Sequence, residues 1–93
     1  MTTTQSEALF RTNTNSGFSI ILKNGWTVSV QWGIDTHSDN YLGKYGDRQI
    51  SNTAEIAAYK DIGTPQGSWY EDDPRSYQTP EQVIEFMAEV AAL

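Results

Sequence analysis

The chain has 93 residues, 38% of them hydrophobic and 19% charged, with 12 acidic side chains against six basic and a net charge of -6. That length suits one domain with a modest core, and the acidic balance argues against duplex DNA or long RNA, whose binding is driven by phosphate neutralisation. The absence of cysteine excludes a disulfide framework, a thiolate zinc site and a cysteine nucleophile, and fits a reducing cytoplasm.

Residues 1–16 begin "MTTTQSEALFRTNTNS" and lack the basic region and apolar core of a signal peptide. They read as a mobile tail pinned by Leu9 and Phe10. No apolar run approaches the roughly 20 residues of a membrane span, so neither membrane nor long nucleic acid is an expected partner. Residues 17–93 read as a single α+β domain: a small antiparallel sheet of three to four strands packed by one C-terminal helix.

"LKNGWTVSV", Leu22 to Val30, is a hairpin with two possible registers. A two-residue Asn24-Gly25 turn sets apolar residues opposite polar ones. A three-residue loop, Lys23-Asn24-Gly25, sets Leu22 opposite Trp26, Ile20 opposite Val28 and Phe18 opposite Val30, with Trp32 extending the same face. Side chains alternate with period two, so one slip exchanges the whole core face. The three-residue loop, a type I turn closed by a left-handed glycine, is the consistent choice. Phe18, Ile20, Leu22, Trp26, Val28, Val30 and Trp32 are then core candidates, and Ser19, Ile21, Thr27, Ser29 and Gln31 form a solvent-compatible face.

Residues 33–52 are rich in glycine, aspartate and asparagine without periodicity, and connections of this length are usually functional or mobile. "TAEIAAYKDIG" reads equally as helix or strand. "GTPQGSWYE" gives a turn and a short aromatic strand. In "QTPEQVIEFMAEVAAL" Thr79 is the N-cap, Pro80 stands at N1 and Gln82 at N3, a capping box. Val83, Ile84, Met87, Val90 and Ala91 make the stripe expected to pack on the sheet. Glu81, Glu85 and Glu89 form an acidic row elsewhere on that helix.

Four segments carry a resemblance: "NGWTVSVQWG", "NTAEIAAYKDIG", "GSWY" and "YQTPEQVIEFM". In that order they resemble a set of small bacteriophage-encoded proteins, over about half of the chain. None of the segments is a catalytic motif. The resemblance implies strand-turn-strand for the ambiguous middle segment, "AEIAAY" turning into "SWY". It also implies a tool of phage counter-defence acting in the cytoplasm of the infected bacterial host.

Catalysis is not expected. His37 is the single histidine, and any Ser-His-Asp arrangement would be built around it. Asp35, His37 and Asp39 alternate and would share a strand face able to hold a divalent metal, but a loop histidine among solvating aspartates explains the same letters. "GKYGDR" has neither the spacing nor the Lys-Ser/Thr ending of a phosphate-binding loop. Glu71, Asp72 and Asp73 read as a turn cap before Pro74. No cofactor and no metal are expected.

Binding remains, in two forms, of which the first is preferred because the basic and aromatic residues gather in loops rather than in the predicted core. A sponge would sequester a small anionic nucleotide signal in a pocket shared by a homo-oligomer, using His37, Tyr41, Lys44, Tyr45, Arg48, Trp69, Tyr70 and Arg75. Aromatic rings there would stack on bases and arginine would pair with phosphate, although the same rings, with Tyr77, would also serve as a second aromatic cluster beside the helix. Alternatively, the chain is an acidic inhibitor of a host defence nuclease or nucleic-acid-binding protein, of anti-CRISPR or anti-restriction type. Residues 71–93 carry a net charge of -5 against -1 for residues 1–70, and Glu81, Glu85 and Glu89 would face a basic protein surface. A virion or assembly accessory role is a weaker third reading.

Overall fold

A computed structural model of the chain describes residues 8–12, 16–32, 38 and 51–93. These form β1 (Leu9–Thr12), β2 (Ser16–Ile21), β3 (Thr27–Trp32), β4 (Ala54–Lys60), β5 (Ser68–Trp69), β6 (Arg75–Gln78) and α1 (Pro80–Ala91). All pairings are antiparallel, in the order β1-β2-β3-β4, and the far edge of β4 is shared between β5 and β6. α1 lies across one face, against β3, β4 and β6. The fold is α+β, as the patterning implies, with more strands than the three or four expected.

The β2–β3 hairpin takes the three-residue loop. Phe18 pairs Val30 and Ile20 pairs Val28; Leu22 N–H donates to the Trp26 carbonyl at 2.8 Å, and Gly25 N–H donates to the Leu22 carbonyl at 3.0 Å. Gly25 sits at φ +92°, where a side chain is strained. Asn24 ties this loop to the helix. Its Oδ1 accepts from Trp26 N–H at 3.1 Å, while its Nδ2 donates to the Val90 carbonyl at 3.0 Å and the Leu93 carbonyl at 3.4 Å. A helix end leaves carbonyls without partners, and here the hairpin tip supplies one.

β4 alternates with period two. Ala54, Ile56 and Ala58 are buried towards α1, joined by Val28, Val30, Val83, Phe86 and Val90. Helix propensity in this Ala-rich stretch is overridden because the apolar set matches the pleat of β3 beside it, Val28 pairing Ala58 and Val30 pairing Ile56. The β4–β5 strand-turn-strand therefore forms, with Tyr59 opposite Trp69.

Several expectations need correction. Leu9–Thr12, read as part of a mobile tail, form edge strand β1 on β2. Phe10 is no anchor, being 80% exposed; the strand is held through its backbone ladder. Ser19, Thr27 and Ser29 are buried rather than solvated. Their side chains are short and lie between strands: Ser29 is flanked by Ser19 and Ala57, and Thr27 by Ile21 and Tyr59. Gln31 Nε2 donates to Ser29 Oγ at 3.0 Å and supplies part of its hydrogen bonding.

The helix begins as its letters indicate. Thr79 Oγ1 accepts from Gln82 N–H at 3.2 Å, and Gln82 Oε1 accepts from Thr79 N–H at 2.8 Å. Its buried stripe, however, is Val83, Phe86 and Val90. Ile84 is 62% exposed and Ala91 is exposed. Residues 83, 86, 87 and 90 satisfy the same spacing as 83, 84, 87 and 91, and the larger Phe86 ring decides the rotation by filling the space above β4 and β6.

Phe86→Ala should therefore cost about 3–5 kcal/mol, as expected for a buried ring, while Ile84→Ala should stay within about 1 kcal/mol; urea denaturation of both variants reads the difference. Gly17 provides a second test, since a Cβ there would stand 2.2 Å from the Val30 carbonyl oxygen at φ +141°, whereas at Gly25 the nearest atom is the flexible Lys60 Cε at 3.0 Å. Gly17→Ala should thus lose about 2 kcal/mol or more, from the clash together with strain at positive φ, and Gly25→Ala about 1 kcal/mol, from strain alone. Equal midpoints for the two glycine variants would contradict the close approach of β2 to β3.

Candidate functional site

The strand-to-helix segment builds a cluster along one flank of α1, around Phe86. Tyr70 N–H donates to the Ala58 carbonyl at 3.0 Å, which turns the Tyr70 ring to the helix side of the sheet. There it meets Trp26 edge-on at 6.0 Å and Phe86 edge-on at 5.6 Å. Arg75 pairs Ile56 across β6 and β4, so it also points to the helix side, with its guanidinium 4.7 Å from the Phe86 ring centre. A bulge follows, and Tyr77 takes φ +54° with its ring half-exposed.

Arg75 is held by two carboxylates. Its Nε and Nη2 donate to Glu71 Oε1 and Oε2 at 2.8 and 2.9 Å, and Nη2 donates to Glu89 Oε2 at 3.2 Å. The Tyr70 hydroxyl donates to the same Glu89 oxygen. The hydrogen bonds from Arg75 hold the Glu71 carboxyl below its ordinary value of 4.5. The bond to Glu89, then burial and the negative charge of Glu89, push the Tyr70 phenol above 10.0. The Glu71 pairing raises Arg75 further. One cation against two anions leaves this cluster net negative.

The eight residues proposed from sequence for a nucleotide site are only partly brought together. His37, Tyr41, Lys44, Tyr45 and Arg48 lie outside the described residues, as do Asp35 and Asp39. Tyr70 and Arg75 meet on the helix side of the sheet. Trp69, one residue earlier on β5, points to the other side, 55% exposed, with its ring 5.3 Å from that of Tyr59. The acidic row is also divided, because Glu89 is engaged by Tyr70 and Arg75. Glu81 and Glu85 are exposed, as are Asp72 and Asp73, and no cation pairs with these four among the described residues.

A cavity of about 450 Å³ opens between the amino-terminal half of α1 and the sheet. Phe18, Val30, Trp32 and Ala54 form its floor, Val83, Ile84 and Met87 its helix wall, and Ser51, Asn52, Thr53 and Gln78 part of its rim. None of its described lining residues is ionisable. It exists because α1 packs on β3, β4 and β6 and leaves β2 uncovered, and because Ala54 offers only a methyl group. Trp32 Nε1 is withdrawn from solvent and has no hydrogen-bond partner among the described residues, a condition that costs about 1–3 kcal/mol. Of the core candidates that line it, Phe18, Trp32 and Met87 are partly buried against the core and Ile84 is exposed. The one signal of a void was small Ala54 beside large Trp32, and it is readable only once β3 and β4 are paired.

Comparison of the chain with protein-family models, with curated proteins and with solved structures gives no match. Among the described residues no three His, Asp or Glu side chains gather as metal ligands, and no helix is long and apolar enough to cross a membrane.

The Arg75 cluster carries a pH signature. A carboxyl depressed by folding contributes stability above its unfolded value, here 4.5, that is lost as pH falls through the depressed value. A partly exposed pair of this kind is worth at most about 1 kcal/mol. Arg75→Met should return Glu71 towards 4.5 and remove that share of the acid dependence. Tyr70 behaves oppositely, its contribution being present below 10.0 and lost as pH rises through the elevated value. Glu89→Gln should bring the Tyr70 titration back towards 10.0, as followed by its ring carbon resonance; an unchanged titration would mean that the Tyr70–Glu89 bond does not form in solution.

Proposed function

We propose that the protein is a non-enzymatic binding protein of phage counter-defence, acting as an acidic inhibitor that covers a basic surface on a host defence nuclease or nucleic-acid-binding protein. The observation that carries this reading is the distribution of charge around α1. Residues 71–93 hold six carboxylates and one cation, and that cation is consumed by Glu71 and Glu89. Glu81 and Glu85 on the helix, and Asp72 and Asp73 in the turn before β6, therefore remain exposed and without a cation among the described residues. Such a surface steers encounter with a positively charged groove and makes association salt-sensitive. The phage setting, and with it the cytoplasm of the infected host as the proposed place of action, rests on the resemblance of the hairpin, the strand pair and the helix start.

A second reading, sequestration of a small anionic nucleotide by a homo-oligomer, is favoured by Trp69. Its half-exposed indole beside Tyr59 is a surface on which a base can stack. Arg75, already bound to two carboxylates, is not free to serve as its phosphate anchor.

The test is plaque formation on a panel of hosts carrying individual defence systems, with the protein expressed in the host. Where the wild-type chain restores plaques, Glu81→Lys with Glu85→Lys should abolish the rescue by tenfold or more, about 1.4 kcal/mol in any linked equilibrium, and Trp69→Ala should retain it. The reverse pattern, accompanied by calorimetric heat with cyclic or ADP-ribose-type nucleotides at about 100 μM protein, a concentration at which micromolar binding is readily seen, would replace the inhibitor by the sponge.

A further inference from the structure

We infer that the cavity beside α1 receives one uncharged aromatic side chain of the partner, carried on a segment whose neighbouring residues are lysine or arginine. This rests on the acidic-inhibitor reading and adds to it a specific anchoring point. Two observations on the same helix lead there. The cavity has no ionisable side chain among its described lining residues, so a charged group entering it would lose water without gaining a counter-ion from any of them. That lining suits an apolar occupant, and about 450 Å³ is ample for a phenyl or indole ring.

The second observation is what stands at the mouth. Ile84 lines the cavity and is itself 62% exposed, an apolar lip presented to solvent. Glu81, three residues before it, is its neighbour on the helix surface, and Glu85, about 100° further round the helix from Ile84, is the neighbour of Glu81 at i, i+4. Both are exposed and without a cation among the described residues. An apolar recess beside paired carboxylates matches an apolar anchor beside paired cations. Interfaces concentrate their energy in such a buried aromatic anchor, surrounded by a polar rim. A free apolar molecule would make no use of the carboxylates, whereas a basic peptide segment uses both features at once.

The proposal is tested on the full chain labelled with ¹³C in its methionine methyls and with ¹⁵N. The probes are three unlabelled amidated pentapeptides: phenylalanine between two pairs of lysines, alanine between the same lysines, and phenylalanine between two pairs of serines. The lysine–phenylalanine peptide should move the Met87 methyl and Trp32 indole resonances. The other two should bind at least about tenfold more weakly, and raising salt from about 50 to 200 mM should weaken the first several-fold. Met87→Trp, which fills the cavity, should abolish the Trp32 shift; Ile84→Glu at the lip serves as the second variant should Met87→Trp lose amide dispersion.

If both lysine peptides move the Glu81 and Glu85 amides equally while the Met87 methyl stays still, the acidic surface stands and the anchoring proposal falls. If the serine-flanked peptide binds as well as the lysine-flanked one, the cavity is an ordinary apolar ligand site and the proposal falls again. If none of the peptides moves either set of resonances, both the anchor and the acidic-surface reading are overturned.

Discussion

The constraint on which the rest of the structure depends is the left-handed backbone at Gly25. It lets the Leu22–Gly25 turn close with one extra residue, and that residue decides the parity of both hairpin strands. With it, Phe18, Val28 and Val30 share a face and meet the methyl groups of β4. Without it, serine and threonine would be carried to the helix side and the core would be lost. The same loop presents Asn24 to the carbonyls at the end of α1. The turn that sets the sheet register therefore also fixes one end of the helix, while Thr79 and Gln82 cap the other.

Between those fixed ends the helix rotates to bury Phe86, and two consequences follow on opposite flanks. On one side Phe86 draws in Tyr70 and Arg75, and these gather Glu71 and Glu89 into a satisfied network. On the other side Ile84 is left outside the core, at the lip of a cavity over β2 and β3. The acidic residues of the final third are thus divided into Glu71 and Glu89, which pair with Arg75, and Glu81, Glu85, Asp72 and Asp73, which pair with no cation among the described residues.

Much of this was legible in the residues alone. The G1-type loop follows from glycine at the third loop position, the helix start from Thr79, Pro80 and Gln82, and the hairpin core from period-two alternation. These are local rules, satisfied within about ten residues of chain. The identity of β4 was not legible locally, because alanine-rich alternation suits both periods, and pairing with Val28 and Val30 resolves it. The burial of Ser19 and Ser29 depends likewise on neighbours from other strands.

The sequence by itself determined the class of fold, the register of its β2–β3 hairpin, the start of its helix and the excess of acid in its final third. Tertiary structure alone decided which helical stripe is buried, that Tyr70 and Arg75 part from Trp69 across the sheet, and that a cavity opens beside Ile84. The physical reason is one of range. Turn geometry and capping are settled by covalent neighbours, whereas helix rotation, ion pairing and packing voids depend on volumes and charges brought together from distant parts of the chain.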